Sequence, residues 1–98
     1  MTTDAAPAAA SLGDRIYVFV KGLDTRIYVN SAVAGQAFGR WKLVEGNGTT
    51  DCAPGAASLD DRVYVFAKGI GDSRIYVNSA RSGQPFDGWG RGWSEVQW

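Results

Sequence analysis

Any chemistry in this chain has to be done without imidazole. The 98 residues contain no histidine, which removes general-base catalysis by that group, Ser-His-Asp triads and His-ligated metal. Carboxylates remain at Asp4, Asp14, Asp24, Asp51, Asp61 and Asp72, but they recur at matching places along the chain, mostly in turn-like stretches. A glycoside hydrolase needs two carboxylates in different environments, one acid and one base, and a recurring set supplies no such asymmetry. No EF-hand loop, Gly-rich phosphate loop or S-x-D-x-G-x-T-W turn is found. The expectation is a protein that is not an enzyme and uses no metal or cofactor. Binding chemistry is better represented. Trp41, Trp89 and Trp93, followed by Tyr28 and Tyr76, join an apolar ring to a polar tip. Arg26 and Arg74, Asn30 and Asn78, and Gln36 and Gln84 place hydrogen-bonding groups at equal positions in the two halves. That repetition suits one pocket per half, and it equally suits a shared need for turn chemistry or for packing.

The elements that position these residues come in two copies. Residues 2–23 match residues 49–70 at 16 of 22 positions, and residues 24–38 match 72–86 at 11 of 15. The gap between these blocks is Gly71, which lengthens KGIGDSR relative to KGLDTR and belongs in a turn. The boundaries read as 1–48 and 49–98, a period of about 47 residues, and periods of that order mean propeller blades or helical arrays. Strand composition favours the former. RIYVFVKG at 15–22 and RVYVFAKG at 62–69 are β-branched and aromatic, as is RIYVNSA at 26–32 and 74–80. Upstream lie the small, apolar PAAASL at 7–12 and PGAASL at 54–59; downstream, RWKLVE at 40–45 and WSEV at 93–96 form a weaker fourth strand. No stretch carries the 3.6-residue apolar period of an amphipathic helix.

Alternation in the second strand puts Ile16, Val18 and Val20 on one face and Tyr17 and Phe19 on the other. A sheet that is apolar on both sides must be covered on both sides. The fold class expected is therefore all-β, with two four-stranded propeller blades per chain and the alanine-rich strand innermost, where room is least. A small β-sandwich is the alternative, but its strands would turn polar residues to water on one side. Two blades leave two apolar faces bare, so ring closure by identical chains is expected: six blades as a trimer, with eight as a tetramer the other closed solution.

Composition narrows the partners. Ten basic residues balance ten acidic ones without a run of either sign, so nucleic acid is not an expected partner. No segment approaches the ~18 apolar residues of a membrane span, and MTTDAAPAAAS lacks the basic and apolar regions of a signal peptide. A soluble chain without membrane insertion is expected, in a compartment left open. Cys52 stands alone, with Ala5 at its place in the first copy, so stability comes from packing.

The recurring TTD-x-AP-x-AAS-x-x-DR-x-YVF-x-KG, followed by RIYVNSA, a GQ-x-F turn and a tryptophan, resembles the blades of the Photorhabdus-type propeller lectins. That family has an AP-x-x-AS strand, a VF-x-K/R-G-x-D turn and tryptophans near the blade end. Its members are single chains of seven blades that bind fucose and related, sometimes O-methylated, sugars between adjacent blades. The resemblance implies a multivalent carbohydrate-binding lectin, with glycans as partners, the indoles as platforms for the C–H face of a sugar and the planar polar groups as hydroxyl partners. Two blades instead of seven is a departure that changes the angle between blades. An engineered or reconstructed assembly module without ligand binding is the alternative implied by near-identical copies. In the second copy the extra stretch around Trp89, Arg91 and Trp93 suits either a rim pocket or, with Trp98, a cap on the exposed edge.

Overall fold

The computed structural model describes residues 1–44, 46, 48–81 and 93–96. Among these the chain is all-β, with two four-stranded antiparallel sheets and no helix. The first sheet holds β1 (Ala8–Leu12), β2 (Arg15–Lys21), β3 (Ile27–Val33) and β4 (Lys42–Leu43), side by side in chain order. The second repeats that order with β5 (Gly55–Leu59), β6 (Arg62–Lys68), β7 (Ile75–Arg81) and β8 (Ser94–Glu95). Pairing agrees residue for residue: Ala8 faces Phe19 as Gly55 faces Phe66, and Lys21 faces Ile27 as Lys68 faces Ile75. Gly71 is therefore absorbed at the hairpin tip without shifting the ladder. Pro7 and Pro54 stand just outside their first strands, where the missing N–H costs no ladder bond.

The fourth strands are shorter than the sequence suggests. Instead of 40–45 and 93–96, the strand pairs among the described residues are Lys42–Leu43 and Ser94–Glu95 against the start of the third strand. Each is followed by one more bond, Val44 N–H to the Ile27 carbonyl at 2.9 Å and Val96 N–H to the Ile75 carbonyl at 2.7 Å. A short outer strand presents little unpaired backbone to strangers, and it places Trp41 and Trp93 immediately before the sheet edge.

The sheets meet through opposite faces. Tyr17, Phe19, Ile27 and Val44 of the first half pack with Val63, Val65, Ala67 and Ala80 of the second, and Ala8, Ala10, Leu12, Val29 and Ala56 border this core. The closest approach between sheets is made by β1 against β5 and β6, where alanine and glycine let the backbones come together. Phe19, Val63 and Val65 are fully buried, each worth about 1.5–3 kcal/mol in apolar area removed from water.

The two remaining faces carry the complementary sets. On the first sheet Ile16 is 42% exposed and Val18 half-buried, although their counterparts Val63 and Val65 are fully covered. On the second, Tyr64 and Phe66 stack at 6.5 Å with 21° between their planes and stay half-buried. Their counterparts Tyr17 and Phe19 are 4% and 0% exposed.

Candidate functional site

The hairpin joining the second and third strands of each sheet carries a side-chain latch. In the first sheet the Tyr28 hydroxyl donates to Asp24 Oδ2 at 2.6 Å, and the Arg26 backbone N–H donates to Asp24 Oδ1 at 3.1 Å. Tyr76, Arg74 and Asp72 repeat this at 2.5 and 3.1 Å. Thr25 and Ser73, between carboxylate and arginine, take left-handed backbone angles of 71° and 56°, and each sits in the tight turn that the aspartate caps. Glycine lies directly beneath. A Cβ on Gly22 would stand 2.6 Å from Asp24 Oδ1 and 2.7 Å from the Tyr28 ring, and one on Gly69 would stand 2.6 Å from Asp72 Oδ1 and 2.9 Å from the Tyr76 ring. The tyrosine hydroxyl, followed by the backbone donor, holds each carboxyl below the usual aspartate value of 3.8. The carboxylates in turn push both phenols above 10.0.

The second latch opens onto a cavity of about 210 Å³ at the junction of the sheets. Ile27 of the first sheet and Gly48–Thr49 of the connection form one side; Gly69, Asp72, Tyr76 and Trp93 form much of the other. The space is below the roughly 300–1,000 Å³ of drug-sized pockets and suits one small ring. Trp93 Nε1 is buried and has no hydrogen-bond partner among the described residues. Its indole edge lies so close to Gly48 that any Cβ there would collide with it. A buried donor without an acceptor costs about 1–3 kcal/mol. The acceptor set nearby is Asp72, kept ionised by its latch, and the tyrosine oxygen.

The first latch has no such enclosure. Its recess is a shallow one of about 230 Å³ lined by Met1, Thr2, Gly22, Leu23, Asp24 and Tyr28. Thr2, Gly22, Asp24 and Tyr28 correspond to Thr49, Gly69, Asp72 and Tyr76, but nothing among its lining residues takes the place of Ile27 or Trp93.

The candidate residues are distributed unevenly around these two places. Tyr76 and Trp93 line the cavity and Tyr28 lines the open recess. Trp41 is half-buried beside β4 and lines neither. The Arg74 guanidinium is exposed and engaged by both Glu95 carboxylate oxygens at 3.1 Å, whereas the Arg26 side chain is exposed. Asn30 and Asn78 are buried and spent on structure. Each accepts the N–H of the following serine at 2.8 Å, and Asn30 also donates to the Gly39 carbonyl at 3.0 Å. Gln36 is exposed in the turn after β3, at the far end of a strand that rises about 3.3 Å per residue. Trp89 and Gln84, with Arg91 and Trp98, lie outside the described residues.

The aspartate–tyrosine latch was not anticipated from the sequence. Its signal is D-T-R-I-Y in one copy repeated as D-S-R-I-Y in the other, two residues after Gly22 and three after Gly69. A second repeated feature, Arg15 donating to Ser31 Oγ at 3.1 Å and Arg62 to Ser79 Oγ at 2.9 Å, also escaped notice. Among the described residues no group of three or more His, Cys, Asp or Glu is placed to hold a metal. Compared with known proteins, the chain matches no family model and no curated sequence.

Proposed function

We propose that this chain is a carbohydrate-binding lectin whose two sheets are blades of a β-propeller closed by copies of itself, with ligand held between adjacent blades. The observation that carries the reading is the inter-sheet cavity. It combines a buried indole N–H lacking an acceptor, an ionised aspartate and a phenol, in a space of about 210 Å³. Polyhydroxylated rings match that set, since their hydroxyls both accept from the indole and donate to the carboxylate. The resemblance to Photorhabdus-type lectins points to fucose and its O-methylated relatives among such rings.

Self-assembly is supported by the faces the chain leaves uncovered. Within the chain a Tyr–Phe face packs on a Val–Val–Ala face. Left over are the same two kinds of face, Ile16–Val18 at one end and Tyr64–Phe66 at the other. Repeating the internal contact between chains is a head-to-tail association, which closes as three chains or four, and the trimer of six blades is the proposed state. Several cavities in one ring would turn weak single sites into firm attachment to a glycan surface.

The test is titration of fucose, O-methylated fucose and unrelated hexoses, read by tryptophan fluorescence, alongside the native mass of the unliganded protein. Saturable quenching by the first two, shifted to higher saccharide concentration in Trp93→Phe, supports the lectin. An assembled ring that ignores every saccharide at millimolar concentration leaves an assembly module and ends the lectin reading.

A further inference from the structure

The TTD segments at 2–4 and 49–51 sit at corresponding places, and the second shows what such a segment does when a sheet precedes it. One half of the grip is on its own sheet: Lys68 Nζ lies 3.0 Å from Asp51 Oδ1, and the Thr50 hydroxyl accepts the Cys52 N–H at 3.2 Å. Its other half reaches back to the preceding sheet. Thr49 bridges Arg26 in antiparallel fashion, and the Thr50 N–H donates to the Thr25 carbonyl at 2.9 Å. Thr50 is thereby fully buried. The segment is a clasp between neighbours, and it closes one side of the cavity.

The first copy has only the near half. Lys21 Nζ lies 2.6 Å from Asp4 Oδ1, the Thr3 hydroxyl donates to the Lys21 carbonyl at 2.5 Å and accepts the Ala5 N–H at 3.2 Å. Thr2 and Thr3 are otherwise exposed. In the second sheet Ser73 repeats the left-handed backbone of Thr25, whose carbonyl takes the Thr50 N–H. Among the described residues no segment bridges Arg74 as Thr49 bridges Arg26.

We infer that Thr2–Thr3 of one chain clasps the Ser73–Arg74 edge of a second copy, Thr2 bridging Arg74 and the Thr3 N–H donating to the Ser73 carbonyl. The inference rests on the head-to-tail assembly proposed above, though not on sugar binding. It also completes a site. The same docking carries Ile75 of the second copy to the recess of Asp24 and Tyr28, as Ile27 walls the cavity of Asp72 and Tyr76. Every ring then holds two kinds of pocket, one within each chain and one shared between chains.

Paired cysteines test the register. In a Cys52→Ala background, which leaves no other thiol, Thr2→Cys with Arg74→Cys is compared with Arg26→Cys plus Thr49→Cys, the pair whose bridge lies within one chain. Directly opposed antiparallel residues have Cα atoms about 4.5–5.5 Å apart, inside the range a disulfide spans. Mild oxidation is expected to link the first pair between chains, giving dimers and higher species on a non-reducing gel, and the second within a chain. Mixing chains that carry only Thr2→Cys with chains that carry only Arg74→Cys should yield the heterodimer. Amide exchange gives a variant-free reading: the Thr3 N–H should be protected in concentrated solution and lose protection on dilution. An assembly of the expected mass with no inter-chain link and an unprotected Thr3 N–H overturns the clasp and leaves the ring standing. A monomer at all concentrations overturns both.

Discussion

The two sheets share a ladder, a latch and most of their residues, yet opposite faces of them are buried. Phe19 is inside and Phe66 half outside; Val63 is inside and Ile16 is 42% exposed. Residue type does not decide this, because the strands are apolar on both sides. What decides it is which neighbour stands where. The difference teaches that each sheet carries two docking faces of unlike shape, aromatic and aliphatic, and that a single chain satisfies one of each.

The largest expected effect comes from equivalent truncations. Phe19→Ala should cost about 3–5 kcal/mol in urea unfolding at any protein concentration. Phe66→Ala should cost much less in a dilute, solitary chain, and the gap should narrow as concentration rises, because association adds to the stability of the wild type by mass action. Equal costs at every dilution would dissolve the contrast between the sheets.

Next in size is the contrast between the tryptophans that precede the outer strands. Trp93→Phe removes the buried donor and is expected to weaken saccharide binding about three- to tenfold, the range of one hydrogen bond, without loss of folding. Trp41→Phe, outside both recesses, should leave binding unchanged by the same fluorescence titration. Gly48→Ala sharpens the point, since its methyl group would displace the Trp93 indole and should abolish the titration with Trp93 still present.

A smaller effect is expected from pH, through the latches. Asp24 and Asp72 have carboxyls lowered below 3.8 by their tyrosines, so their contribution is present above that value and lost as pH falls through the lower, folded-state pKa. The phenols are raised above 10.0, so their contribution is present below that value and lost as pH climbs through the raised one. Stability should therefore be level between these limits and decline beyond both. Tyr28→Phe with Tyr76→Phe should make both declines shallower in chemical unfolding followed across pH. Saccharide should alter the behaviour of Tyr76 in a solitary chain and of Tyr28 only in an assembled one. The smallest effect is that of Arg74→Ala. Its pair with Glu95 is exposed and screened by solvent, so its unfolding midpoint should be almost indistinguishable from that of Arg26→Ala.

Much of the architecture was legible in the residues themselves. Duplication at about 47 residues, strand composition and two-sided apolar alternation suffice for a pair of four-stranded antiparallel sheets. Strand ends were less legible, because outer strands as short as Lys42–Leu43 and Ser94–Glu95 carry too little residue alternation to mark where pairing stops. The site was legible only in part. Tyr28, Tyr76 and Trp93 could be named from ring chemistry, but only coordinates show that Tyr76 and Trp93 converge and that Trp41 stands apart. Asn30 and Asn78 look the same in sequence whether they face a ligand or cap the next N–H, and here they do the latter. Which copy lines the cavity cannot be read from a repeat at all, since it depends on the neighbouring sheet that stands against it.

The single extra residue at Gly71 has a practical consequence. It enlarges one hairpin tip while Lys68 and Ile75 stay opposed just as Lys21 and Ile27 do, so the tip is uncoupled from the rungs behind it. The matching place between Leu23 and Asp24 is then a natural port for grafting an epitope, a fluorophore-bearing loop or a spacer. In the ring proposed above, such inserts would recur at regular angular intervals around the rim.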